Sequence, residues 1–180
     1  LRVAVGYGEP NLESTGGAWT PVASVPRPAG FGVARTLHCV TVHATDMAFA
    51  GGDDVLMQRD ATGTWSLVDL GGLVTGRFTI RGLYAHAPDD VVAVGWESPA
   101  GQPRVAIVLR HDGTSWSIER PGGGLLNGTW GGTTLTFATG NQGTLLEGSA
   151  FLLPGTVNTT ANLYDVWALD DTTVAFVGSE

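Results

Sequence analysis

Five times along the chain a short run of small and β-branched residues ends on a glycine. The runs are Arg2-Val-Ala-Val-Gly6, Met47-Ala-Phe-Ala-Gly51, Val91-Val-Ala-Val-Gly95, Leu135-Thr-Phe-Ala-Thr-Gly140 and Val174-Ala-Phe-Val-Gly178. Their glycines are separated by 45, 44, 45 and 38 residues. The last four runs each follow an opening leucine (Leu37, Leu83, Leu126 or Leu163) and a short polar turn. A period of this length that carries only strand signals predicts a stack of small antiparallel sheets, as in propeller blades. The expected copies span 1–36, 37–82, 83–125 and 126–161, with a partial copy at 162–180. Together they form a single domain.

Strand spacing within the copies supports this reading. The second copy divides into Leu37–His43, Met47–Gly51, Val55–Arg59 and Thr64–Val68. The third divides into Leu83–Ala87, Val91–Trp96, Val105–Arg110 and Ser115–Glu119, and the fourth into Leu126–Trp130, Leu135–Thr139, Thr144–Glu147 and Ala150–Leu153. In the first copy, Glu9–Gly17 is polar and turn-rich, and Ala18–Ser24 is the expected strand. Asp112-Gly113 between apolar runs predicts a tight hairpin, because glycine takes positive φ without steric cost. No window of a dozen residues holds a helical period. An aromatic residue recurs on each fourth strand (Trp19, Trp65, Trp116 and Phe151), where it is expected to fill the space between neighbouring sheets.

Leu163-Tyr-Asp-Val-Trp167 and His111-Asp-Gly-Thr-Ser-Trp116 carry a resemblance. The chain resembles secreted bacterial β-propellers with DVWAVG…HxDGxxW repeats, and is similar to Asp-box (BNR-type) propellers. Its turn is one residue tighter than the Asp-box D-x-G-x-T-W. The resemblance implies an all-β propeller of about four blades with four antiparallel strands each, in an extracellular, cell-surface or periplasmic protein. The first and last copies break at the same phase, which predicts a piece of a larger propeller that self-associates through an open blade edge. A compact closed ring, with Leu163–Leu169 completing the first blade, is the rival.

Composition narrows the partners. The chain has nine arginines, no lysine and a net charge of −8, so a phosphate-binding basic stripe is absent and nucleic acid is an unexpected partner. No apolar run reaches membrane-span length. The single Cys39 forms no internal disulfide and reads as a small hydrophobe inside a strand. Asp46, Asp89-Asp90 and Asp170-Asp171 recur before the second strands, and Asp60 and Asp112 before the tryptophan strands, so all read as turn formers. Asp53-Asp54 reads as an exposed loop. The histidines lack metal-ligand spacing, and no cofactor is expected.

The residue after each opening leucine is polar or aromatic: His38, Tyr84, Asn127 and Tyr164. On first strands beside a central channel these would form a binding ring, flanked by the connections Val25–Thr36, Asp69–Gly82, Pro121–Leu125 and Pro154–Ala161. Packing between blades is the competing role. In the binding reading, alanine at Tyr84 or Tyr164 weakens partner binding and barely moves the melting temperature. The leading expectation is a non-enzymatic binding or scaffold module with a protein or glycan partner. A carbohydrate-binding propeller using Trp96, which follows its glycine in one copy only, is the alternative. A sialidase- or lyase-like hydrolase is a further one, disfavoured because these first-strand positions supply no arginine.

Overall fold

The computed structural model describes residues 1–7, 11–22, 36–43, 47–150 and 152–179. These residues form five antiparallel sheets in chain order. The first sheet contains β1 (Arg2–Ala4), β2 (Leu12–Ser14) and β3 (Thr20–Pro21). The second contains β4 (Leu37–Val42), β5 (Ala48–Gly52), β6 (Val55–Arg59) and β7 (Trp65–Leu67). The third contains β8 (Gly76–Ala87), β9 (Asp90–Pro99), β10 (Val105–His111) and β11 (Trp116–Glu119). The fourth contains β12 (Leu126–Gly131), β13 (Thr136–Gly140), β14 (Leu145–Gly148) and β15 (Leu153–Pro154). The fifth contains β16 (Leu163–Ala168) and β17 (Val174–Gly178). Within each sheet the strands follow one another as a meander.

The sheets hold together because alternate residues of a strand point to opposite faces. In the third sheet Val91, Ala93, Ile107 and Leu109 share a core with Phe49 and Leu56 of the second sheet. The residues between them, Val92, Val94, Ala106 and Val108, share another with Ala138 and Leu146 of the fourth. Both faces of Val91–Val94 in β9 and Ala106–Leu109 in β10 are therefore dry, and these segments read as continuous apolar runs rather than as alternation. Each such valine, leucine or isoleucine stabilises the stack by about 1.5–3 kcal/mol relative to exposure. Leu37, Ala50, Met57 and Trp65 join the second sheet to Val3 and Val5 of the first. Phe137, Val166 and Ala168 join the fourth to the fifth.

Side-chain caps shape the hairpins. Asp112 Oδ1 accepts hydrogen bonds from the amides of Thr114 and Ser115 and from the Thr114 hydroxyl, while Gly113 takes φ 88°. These donors hold the Asp112 carboxyl far below the ordinary aspartate range. Asp60 does the same for Thr62 and Thr64, and Asp170 for Thr172 and Thr173. Asp171 works differently from the expected turn former. It reaches the fourth sheet's β12–β13 turn, where the Thr134 and Leu135 amides and the Thr134 hydroxyl donate to it and lower its carboxyl to about 2.

Several expectations need correction. Leu12–Ser14 is a strand where a polar turn was expected. Its half-buried Glu13 is the acceptor for Arg59 Nε at 3.0 Å and Trp65 Nε1 at 2.6 Å, so its polarity serves the seam between two sheets. The strand of 18–24 is confined, among the described residues, to Thr20–Pro21. Strand β8 starts at Gly76 rather than Leu83, running through half of the expected Asp69–Gly82 connection because Gly76–Ile80 pairs with Gly95–Pro99. Asp53-Asp54 is not an exposed loop. Asp54 Oδ1 accepts the Phe78 amide at 2.8 Å and its Oδ2 the Arg77 side chain at 3.0 Å, so the pair joins the second sheet to β8. Trp65 is buried between sheets and Trp116 meets Phe49 edge-on at 6.0 Å, as expected of the fourth-strand aromatics, whereas Trp19 is 46% exposed. Asp46, Phe151 and residues 25–35 lie outside the described residues.

Candidate functional site

The first strands β4, β8, β12 and β16 are each the edge of their own sheet, and they lie beside one another in that order. All four carry the same irregularity. Pairing steps from Leu37↔Gly52 to Cys39↔Gly51, from Ile80↔Gly95 to Gly82↔Val94, from Leu126↔Gly140 to Gly128↔Thr139, and from Leu163↔Gly178 to Asp165↔Val177. The skipped residue is a β-bulge, left out of the ladder and turned away from the regular alternation. The four bulged residues are His38, Arg81, Asn127 and Tyr164.

The bulge also explains the closing glycines. A Cβ on Gly52, Gly95, Gly140 or Gly178 would fall well inside 3.0 Å of a backbone carbonyl oxygen: that of Thr36, Thr79, Leu125 or Asn162 respectively. In each case this carbonyl immediately precedes the residue of the neighbouring strand that pairs with the glycine. A Cβ on Gly6, whose carbonyl accepts the Leu37 amide at 3.1 Å, would meet nothing within 4 Å among the described residues. The phase of the second copy is thus set by Gly52 rather than Gly51, and that of the third by Ile80 rather than Leu83.

The four bulged residues line one groove of about 450 Å³, together with Cys39, Thr129, Trp130 and Asp165. This volume is in the range of small-molecule sites. At one end, His38 Nε2 lies 3.1 Å from Asp53 Oδ1, which also accepts the Thr79 hydroxyl at 2.9 Å. Arg81 Nη1 approaches His38 Nδ1 at 3.4 Å. Arginine can only donate, so Nδ1 is the acceptor and the imidazole proton sits on Nε2, facing Asp53. Burial pulls the Asp53 carboxyl up, but the hydrogen bonds from His38 and Thr79 and the nearby Arg81 charge outweigh it, leaving it below the ordinary aspartate value. Burial pushes the Cys39 thiol up to about 12, so it stays protonated and is a poor nucleophile at neutral pH. At the other end, Asn127 Nδ2 donates to Asn141 Oδ1 at 2.8 Å and to the Leu163 carbonyl at 2.9 Å. Tyr164 is 53% exposed.

Of the residues singled out in the sequence, the groove brings together His38, Asn127 and Tyr164 and leaves out Tyr84 and Trp96. Tyr84 is half-buried against His86 at 4.7 Å and Trp130 at 5.2 Å, and its ring occupies the space a Cβ on Gly131 would need. It is packing between the third and fourth sheets, and Tyr84→Ala is expected to cost about 2 kcal/mol, read from the shift of a urea unfolding midpoint. A change below about 0.5 kcal/mol would show that the ring contributes no packing. Trp96 has its ring face covered by the Arg104 guanidinium, 4.1 Å from the ring centroid. Arg81, Asp165 and Trp130 are the residues the sequence reading missed.

A second cleft, of about 530 Å³, has walls that include Leu73, Pro99, Pro103 and Ile118. Its charged groups, Glu97 and Arg120, are already paired at 2.6 Å, which leaves little polar chemistry for recognition. Among the described residues no group of three or more His, Cys, Asp or Glu is placed to hold a metal ion, and no helix is long and apolar enough to cross a membrane. No family profile, curated protein or solved structure matches the chain.

Proposed function

We propose that the five sheets are successive blades of a β-propeller with the first strands innermost. In this reading the chain is a non-enzymatic binding module of a secreted or surface-exposed bacterial protein. The observation that carries it is the shared bulge, which gives four consecutive sheets one outward side chain each on a single groove. Ring-like surfaces on a rigid sheet scaffold are suited to recognition, because they vary without disturbing the core. Binding is favoured over catalysis because His38 is held between Asp53 and Arg81 and the Cys39 thiol is kept protonated. Among the described residues the groove holds one arginine, short of the clustered arginines a sialidase-like site needs. The resemblance of Leu163–Trp167 and His111–Trp116 to secreted propeller repeats supports the extracellular setting.

The test is a pair of exposed groove substitutions, Arg81→Ala and Tyr164→Ala. Each is expected to lower partner affinity at least tenfold, measured by titration calorimetry, with the melting temperature within a few degrees of the parent. Unchanged affinity in both variants would move the site elsewhere.

A further inference from the structure

Resting on the groove as the binding site, we infer that its ligand is a neutral saccharide, held by vicinal hydroxyls between Arg81, Asn127 and Asp165 with a sugar face on Tyr164. Arg81 uses one Nη1 donor on His38, and its other N–H groups have no acceptor among the described residues. Asn127 spends its amide donors on Asn141 and Leu163, so its Oδ1 is available to accept. Asp165 Oδ1 takes the Val166 amide at 2.9 Å, while Oδ2 has no donor among the described residues. The Tyr164 hydroxyl is likewise unspent. The open capacity is therefore mixed: planar donors at Arg81, planar acceptors at Asn127 and Asp165, and one group that does both.

Other ligand classes fit this inventory less well. A polyanion would meet Asp53 and Asp165 in or beside the groove and a chain of net charge −8. An apolar ligand would leave the Arg81 and Asp165 groups dry and unpaired, at a cost. An extended peptide adding to a sheet edge needs an uninterrupted ladder, and each of these edges is broken by its bulge. A sugar ring presents alternating hydroxyl donors and acceptors around its rim and a C–H face above and below. Tyr164 at 53% and Trp130 at 37% exposure supply the aromatic surface for that face.

The intact chain would be titrated with neutral polysaccharides (dextran, mannan, xylan and a β-glucan) and followed by tryptophan fluorescence, calorimetry and melting temperature. At least one is expected to bind saturably. Tyr164→Ala and Arg81→Gln should each weaken it tenfold or more, Tyr164→Phe should weaken it less than Tyr164→Ala, and Trp96→Ala should leave it unchanged. Failure of every polysaccharide to bind, with a protein or peptide partner lost in Arg81→Gln, overturns the saccharide and leaves the groove as the site. Saccharide binding that survives both Tyr164→Ala and Arg81→Gln overturns the groove as well.

Discussion

Gly95→Ala is expected to destabilise the fold by about 3 kcal/mol, at the upper end of overpacking costs, whereas Gly6→Ala stays within about 0.5 kcal/mol. The two glycines close the same kind of apolar run in sequence, and nothing in composition separates them. Their surroundings do. A Cβ on Gly95 would sit on the Thr79 carbonyl oxygen, with the Ile80 Cα at 3.1 Å, while one on Gly6 meets nothing within 4 Å among the described residues. Both obstacles at Gly95 are backbone atoms of the paired strand β8, so relief requires β8 and β9 to separate rather than a rotamer to turn. Urea unfolding of the two variants decides the matter. Equal losses would mean that the closing glycine serves only conformational freedom and not the bulge beside it.

Arg120→Met is expected to cost about 3 kcal/mol at neutral pH, the low end for breaking a buried pair. The low end applies because Arg120 is itself 40% exposed whereas the Glu97 side chain is 1% exposed. In the parent, burial pulls the Glu97 carboxyl up, but the hydrogen bonds from Arg120 and the Thr75 amide and the Arg120 charge hold it below its ordinary 4.5. A carboxyl depressed by folding adds stability that is present above its unfolded value and lost as pH falls through the folded one. Without Arg120 the sign reverses. Burial is then opposed mainly by Thr75, so folding raises the carboxyl, and the penalty is full at neutral pH and fades on acidification. The stability curves of parent and variant should therefore converge towards about pH 4. A gap that stays constant between pH 7 and pH 4 would show that the lost Arg120–Leu73 carbonyl contact (2.7 Å), and not the buried charge, carries the effect.

The strands were legible wherever a hairpin was signalled by its own residues. Val55–Arg59 matches to the residue, and Val105 and Trp116 begin or adjoin strands where the Asp-Gly turn required them. Short periodicity does not report a bulge, however, because one skipped residue shifts the pattern without altering the residue types. That is why Leu83 passed for the opening residue of its sheet, and why Tyr84 took the place of Arg81. A signal was nonetheless present. Ile80-Arg81-Gly82 has the form of Leu126-Asn127-Gly128, and the opening and closing residues are 15, 15, 14 and 15 apart when Leu37–Gly52, Ile80–Gly95, Leu126–Gly140 and Leu163–Gly178 are paired. Glu13 was illegible for another reason. A carboxylate in a polar stretch looks solvated until a partner 46 residues away, Arg59, closes on it.

The four bulges also bear on how such a surface changes over evolutionary time. A side chain in the ladder is tied to two neighbours and to a core face, so replacing it disturbs packing on both sides. A bulged side chain is outside the ladder, since the pairing around it is completed by the residues before and after; Arg81 and Tyr164 are exposed, whereas Asn127 still bonds to Asn141 and Leu163, and His38 to Asp53. His38, Arg81, Asn127 and Tyr164 already differ in charge, size and hydrogen-bonding character on four backbones with the same irregularity. On the proposed binding groove, Arg81 and Tyr164 are therefore the open sockets, where a single substitution changes the surface without the stacked cores registering it.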